Sequence, residues 1–173
     1  MIERLDELYR EVILDHFSNS THSGELAEAQ IKAEGANPLC GDELTFHLAL
    51  ENGRIQRVRF RGKGCAISQA AASMLATQLE GKTLGEAGAL IEAMKALMQG
   101  GASDAAVDLG DLEALAGVRK FPVRVKCAAL SWNVVERGMK DYSVQSSDAR
   151  GQKPEIRRQV SNGGPGDAHR GSG

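Results

Sequence analysis

The stretch ELTFHLALENGRIQRVRFRGKGCAISQAAASML, residues 43–75, decides the fold. Its first eight residues alternate, with Leu44, Phe46, Leu48 and Leu50 on one face, the period-two signature of a half-buried strand. The alternation returns from Ile55 to Arg61, where Val58 and Phe60 sit between Arg57, Arg59 and Arg61, and Asn52-Gly53 marks the hairpin between the runs. A two-residue loop would set Leu48 opposite Arg57 and Phe46 opposite Arg59. Adding Arg54 to the loop sets Leu48 against Val58 and Phe46 against Phe60. The reading is therefore a three-residue loop with Gly53 left-handed. The arginines then line the other, partly exposed face. His47 shares that polar face and reads as a surface residue. Gly62-Lys63-Gly64-Cys65 is a tight passage into a helix of small residues, starting near Ile67 or Ser68 and ending at Gly81.

Working outward, residues 3–17 read as an amphipathic helix with Leu5, Leu8, Tyr9, Val12, Ile13 and Phe17 on one stripe. Thr83 and Glu86 have the spacing of a capping box. It opens a helix to about Gln99 that buries Leu90, Ile91, Met94, Leu97 and Met98. Asp111 to Ala116 reads as a short helix closed by Gly117. Pro122 suits the first turn of a last long helix running to about Lys140, with Val123, Cys127, Leu130 and Val134 on one face. From Ser143 large apolar residues nearly vanish, and residues 143–173 read as a disordered tail.

Composition narrows the function. The 173 residues carry a net charge of -2, which argues against general affinity for nucleic acid or an anionic membrane. No apolar run approaches the ~20 residues of a bilayer crossing, and the N-terminus lacks the apolar block of a signal peptide. The expectation is a cytoplasmic protein with no membrane and no nucleic-acid partner. Aromatic residues are only 4%, so the core must rest on aliphatic side chains and Met.

Three cysteines cannot close a disulfide set, and in a reducing compartment they point to free thiols or a metal site. Each sits where a turn meets a regular element. Cys40 is in the loop leading into the first of the two strands, Cys65 lies between strand and helix, and Cys127 is early in the final helix. Lys63 and the helix N-terminus favour thiolate at Cys65; Lys126 and Arg124 favour it at Cys127. Asp42, two residues past Cys40, can turn a carboxylate towards the same centre. Cys40, Asp42, Cys65 and Cys127 would satisfy tetrahedral zinc with three sulfurs and one oxygen. A [2Fe–2S] cluster would sit at a similar net charge, so electrostatics does not choose between the metals. The spacings alone are weakly specific, and Cys127 on an apolar stripe is more often a packing residue. None of His16, His22, His47 and His169 stands beside a cysteine in sequence.

The blocks LYREVILDHF (8–17), NPLCGD (37–42), GKGCAISQAAASML (62–75) and KFPVRVKCAALSW (120–132) resemble, in order, the IscU-like iron–sulfur cluster assembly family over residues 5–140. The resemblance is greatest to its SufU branch. Lys126 stands where the IscU scaffolds carry a histidine, and the 61 residues between Cys65 and Cys127 exceed the IscU spacing. The Leu-Pro-Pro-Val-Lys segment that IscU offers to a chaperone is replaced by Phe121-Pro122-Val123-Arg124. Ser18-Asn19-Ser20-Thr21-His22 replaces an Asn-Pro-Arg-Asn-like turn.

The resemblance implies an α+β fold: a small antiparallel three-stranded sheet packed against several helices, with the N-terminal helix first and a long C-terminal helix last. It implies a domain over residues 1–142, with a SufU-type helical insertion at about 85–117. It further implies that Cys40, Asp42, Cys65 and Cys127 hold zinc, and that Cys40 accepts persulfide sulfur from a PLP-dependent, SufS-type cysteine desulfurase. Lys126 would tune the site's electrostatics. Sulfur would pass on to cluster assembly or another thiol pathway, making the chain a sulfurtransferase-like relay rather than a stand-alone catalyst. The alternatives are a scaffold on which the same four residues hold a [2Fe–2S] cluster and, more remotely, a purely structural zinc domain.

Overall fold

A computed structural model describes residues 2–101 and 106–163, with side chains for 6–101 and 106–147. In chain order the elements are helix α1 (Ile2–Ser18), strands β1 (Ile31–Asn37), β2 (Asp42–Glu51) and β3 (Arg54–Lys63), helices α2 (Ala66–Leu79) and α3 (Leu84–Met98), a 3₁₀ helix (Gly110–Lys120) and helix α4 (Pro122–Gly163). The sheet is antiparallel in the order β1-β2-β3. The α+β architecture implied by the family resemblance is the one observed.

Hydrophobic matching sets the hairpin register. Phe46 pairs with Phe60 and Leu48 with Val58, as the alternation requires, and the two rings stack with centroids 5.9 Å apart. The loop itself differs from the expected one. It has two residues, Asn52 (φ 53°) and Gly53 (φ 77°), both left-handed, and the register shift comes from a bulge between Ala49 and Leu50. A left-handed pair matches the right-handed twist of the strands, so the extra residue is displaced into the ladder.

The strand β1 pairs Ala33 with Phe46 and Ile31 with Leu48, and it places Cys40 in the β1–β2 connection rather than ahead of the first strand. His47 also departs from expectation. It is 4% exposed, because the segment after α1 crosses the outer face of the sheet and the Leu26 amide hydrogen donates to His47 Nδ1 at 3.3 Å. Arg57 and Arg61 on that face pair with Glu28 and Glu25 of the same segment.

Helix α2 is buried almost all round, its alanines allowing close approach on every side. Helix α1 packs on it through a narrower stripe than the sequence suggests. Ile13 is buried, while Leu8 and Phe17 are exposed. His16 fastens the packing, with Nδ1 against Ser73 Oγ at 2.9 Å and Nε2 against Asp111 at 2.8 Å. The Thr83–Glu86 capping box is formed, and α3 buries Leu90, Ile91 and Met94. The segment 85–117 thus holds α3 and most of the 3₁₀ helix, which continues past Gly117 to Lys120.

Pro122 opens α4, whose first half buries Cys127, Trp132, Val134 and Val135. The chain divides into two compact units at Met139/Lys140. In the second, the helix continues from Lys140 to Gly163 where the sequence suggests no regular structure; its hydrogen bonds are local and need no apolar face. The rest of the expected tail, 164–173, lies outside the described residues. Among the described residues no helix is long and apolar enough to cross a membrane.

Candidate metal–thiol site

Four elements converge on the three cysteines. Asn37 builds the first corner: its carbonyl accepts the amide hydrogens of Cys40 (3.2 Å) and Gly41 (2.8 Å), and its Oδ1 accepts that of Leu39 at 3.1 Å. Its side-chain amide also reaches Cys40 Sγ at 3.5 Å. Cys40 is therefore held in a tight turn yet stays half exposed.

Asp42, the first residue of β2, is fully buried. Its Oδ1 accepts the backbone amide hydrogen of Cys65 at 2.9 Å, so the carboxylate occupies the approach to the α2 N-terminus, where orphan amides favour an anion. Gly64 makes this contact possible, since a Cβ there would fall on the Asp42 carboxylate and on Ser68 Oγ. Cys65 itself is the N-cap of α2, and its carbonyl accepts from Ser68 Oγ at 3.1 Å.

Cys40 Sγ and Cys127 Sγ lie 2.9 Å apart, and both cysteines are free thiols. Ligand atoms of Cys40, Asp42 and Cys127 all fall within 4.8 Å of one another. Cys65 Sγ stands at the rim of this group, 4.0 Å from Asp42 Oδ2. Three thiols and a carboxylate form a donor set suited to zinc. Sulfurs each about 2.3 Å from a tetrahedral zinc are about 3.8 Å apart. Cys40 and Cys127 would part slightly to admit the ion, which Cys40 can do on its turn. The residues present fit the metal.

The electrostatics differ from the sequence reading. Arg124, one turn before Cys127, lines the same cleft as Cys40 and Cys65, and the charge of the Cys65 sulfur first, with hydrogen bonding to Cys65 and Cys127 after it, holds its guanidinium above its ordinary value. Lys63 instead pairs with Glu43 at 3.0 Å, and Arg61 with Glu25 at 3.0 Å. Lys126 is exposed, and among the described residues no hydrogen bond or ion pair joins it to a thiol. In the metal-free chain burial works against the expected thiolate character at Cys127 and pushes this thiol up, and hydrogen bonding to Cys40, Asp42 and Cys65 adds to the effect. Arg124 and Asn37 are the residues that sequence reasoning undervalued. Helical spacing placed Arg124 only three residues from Cys127, which was the available signal.

The site opens on a shallow cleft of about 570 Å³, lined by Leu39, Cys40, Cys65, Lys120, Phe121, Pro122, Val123 and Arg124. Leu39, Phe121 and Val123 are 70%, 57% and 60% exposed. An apolar rim around half-exposed thiols suits contact with another macromolecule.

The NifU-like N-terminal domain family model matches residues 8–149. The chain is 42% identical to the zinc-dependent sulfurtransferase SufU of Bacillus subtilis over 135 residues, 78% of this chain and 91% of that one. It is 36% identical to the iron–sulfur cluster assembly scaffold protein IscU of Streptococcus pyogenes, covering 80% of this chain and 87% of that one. The crystal structure of a SufU from Fervidobacterium islandicum, described as a scaffold protein for the SUF system, superposes with a TM-score of 0.71 at 35% identity. That match covers 75% of this chain and 94% of the other. The motifs, the fold and these matches agree: the chain belongs to the NifU-like N-terminal domain family, the family of IscU and SufU.

Proposed function

We propose that the chain is a zinc-holding sulfur acceptor in iron–sulfur cluster assembly, working in the cytoplasm with a PLP-dependent, SufS-type cysteine desulfurase. The observation that carries this reading is the convergence of Cys40, Asp42 and Cys127 within 4.8 Å, with Cys65 at the rim. The Bacillus relative named a zinc-dependent sulfurtransferase supports the choice of metal and chemistry. The segment 85–117 is read as the SufU-type insertion.

Cys40, Asp42, Cys65 and Cys127 would hold the ion. Zinc bound there keeps thiols ionised at neutral pH and adds no redox chemistry. The chain's residues divide the remaining work. Asp42 and Cys127 are buried, whereas Cys40 sits on a turn facing the cleft, so Cys40 is the donor free to leave. Its thiolate attacks the outer sulfur of the desulfurase persulfide. A bond forms from Cys40 Sγ to that sulfur, the donor's S–S bond breaks, and the donor cysteine departs as a thiolate. Arg124 places positive charge beside the reacting sulfurs, and the apolar rim excludes water from the contact.

The test is sulfur transfer from a desulfurase persulfide to this chain, comparing wild type with Cys40→Ala. Transfer is expected to vanish in the variant, and equal transfer would refute the reading. A second reading, a scaffold for a [2Fe–2S] cluster on the same residues, is favoured by relatives named as assembly scaffolds. Anaerobic reconstitution followed by transfer to an apo-ferredoxin distinguishes it; a cluster that never forms or never transfers removes it.

A further inference from the structure

We propose that Cys127 is a resolving thiol, which discharges a sulfane sulfur carried on Cys40 as sulfide and leaves a Cys40–Cys127 disulfide. The proposal rests on the reading that Cys40 carries sulfane sulfur. Two sulfurs 2.9 Å apart are already inside the distance of a near-attack arrangement. Cys127 is held in place by α4, its Sγ 3.5 Å from the Val123 carbonyl, and it is fully buried. Cys40 faces the cleft, which gives the departing sulfide an exit. Cys65 is less suited to the attack, since it stands outside the mutual group of Cys40, Asp42 and Cys127.

Cys127 Sγ attacks the inner sulfur of the Cys40 persulfide, forming the Sγ–Sγ bond while the bond from Cys40 Sγ to the sulfane sulfur breaks. The sulfane sulfur takes the bonding pair and leaves as hydrosulfide. The persulfide reacts as its anion, and the Cys127 proton goes to the departing sulfur, which makes it hydrosulfide. The sulfane sulfur is reduced to sulfide, and the two cysteines, counted together as thiols, are oxidised to the disulfide. A small dithiol reductant restores the pair. Because a metal would engage both Cys40 and Cys127, this discharge belongs to the metal-free chain.

The full chain, stripped of metal, is loaded with inorganic polysulfide, desalted and held without reductant. Sulfide and cyanide-reactive sulfur are followed in time, and the cysteines are assigned by peptide mass mapping. The expected result is sulfide appearing as cyanide-reactive sulfur falls, in step with a disulfide-linked pair of peptides containing Cys40 and Cys127. In Cys127→Ser the persulfide stays on Cys40 and release is lost. Release at the wild-type rate in that variant, or a wild-type bridge joining Cys40 to Cys65, would overturn the proposal. Mapping the wild-type bridge needs no variant, so a misfolded Cys127→Ser does not obscure the outcome. A Cys40 that takes up no sulfur from polysulfide also overturns it. Failure of a desulfurase to deliver sulfur, with chemical loading intact, counts against the proposed function alone.

Discussion

Asp42 Oδ1 accepts the backbone amide hydrogen of Cys65 at 2.9 Å, tying the start of β2 to the start of α2. One carboxylate therefore fixes the Cys65 corner and lies with an oxygen within 4.8 Å of the Cys40 and Cys127 sulfurs. The two roles separate by substitution.

Asp42→Asn keeps an acceptor for the Cys65 amide but removes the charge. Its metal-free stability is expected to stay within about 1 kcal/mol of wild type, while zinc affinity falls at least about tenfold. Asp42→Ala loses both roles and a further 1–2 kcal/mol or so of stability. Chelator competition and denaturant melts of the metal-free proteins measure the two effects; unchanged zinc affinity in both variants would remove Asp42 from the ligand set.

Gly64→Ala tests the site without touching a ligand. The glycine has φ of 150° and lies where a Cβ would strike the Asp42 carboxylate and Ser68. A cost of about 1–3 kcal/mol is expected, together with weaker zinc retention after gel filtration. Wild-type retention would show that the carboxylate is not held where the contact places it.

Arg124 rather than Lys126 is the cation that shares the cleft with Cys40 and Cys65. Arg124→Ala is expected to slow sulfur uptake by Cys40 about two- to tenfold, an effect that shrinks with added salt because the side chain is exposed. Lys126→Ala is expected to change the rate less. Uptake kinetics at low and high salt check both, and the reverse order would contradict the placement.

The buried Cys127 thiol gives the metal-free protein a pH dependence. Its folded value lies above its ordinary value of about 9, so the fold binds this proton more tightly than the unfolded chain. Its stabilising contribution is complete below about pH 9 and is lost as the pH rises above that, towards the folded value. Thermal midpoints of metal-free wild type are expected to drop more steeply above pH 9 than those of Cys127→Ala. Parallel curves would show that the thiol is not buried as described.

Much of this was legible in the sequence, for identifiable reasons. Large apolar residues at alternate positions fixed Phe46 against Phe60 and Leu48 against Val58. The bulge was not legible, because a loop residue and a bulge residue satisfy the same side-chain matching. The strand Ile31–Asn37 is not legible because, of its inward positions Ile31, Ala33 and Gly35, the last two are too small to display a period. The burial of His47 is not legible because alternation reports which face a residue takes, not whether another segment covers that face. The site residues were legible mainly through the ordered family blocks, since their spacings alone carry little. Arg124 was undervalued because adjacency in sequence favoured Lys126, although neighbouring residues on a helix point about 100° apart.

The most direct measurement is zinc content and X-ray absorption at the zinc edge, on protein purified without chelators. The expected result is one zinc per chain with about three sulfurs near 2.3 Å and one oxygen near 2.0–2.2 Å. Protein that arrives and stays free of metal even when zinc is supplied, or a shell of nitrogen and oxygen without sulfur, would contradict the claim that Cys40, Asp42, Cys65 and Cys127 form one centre.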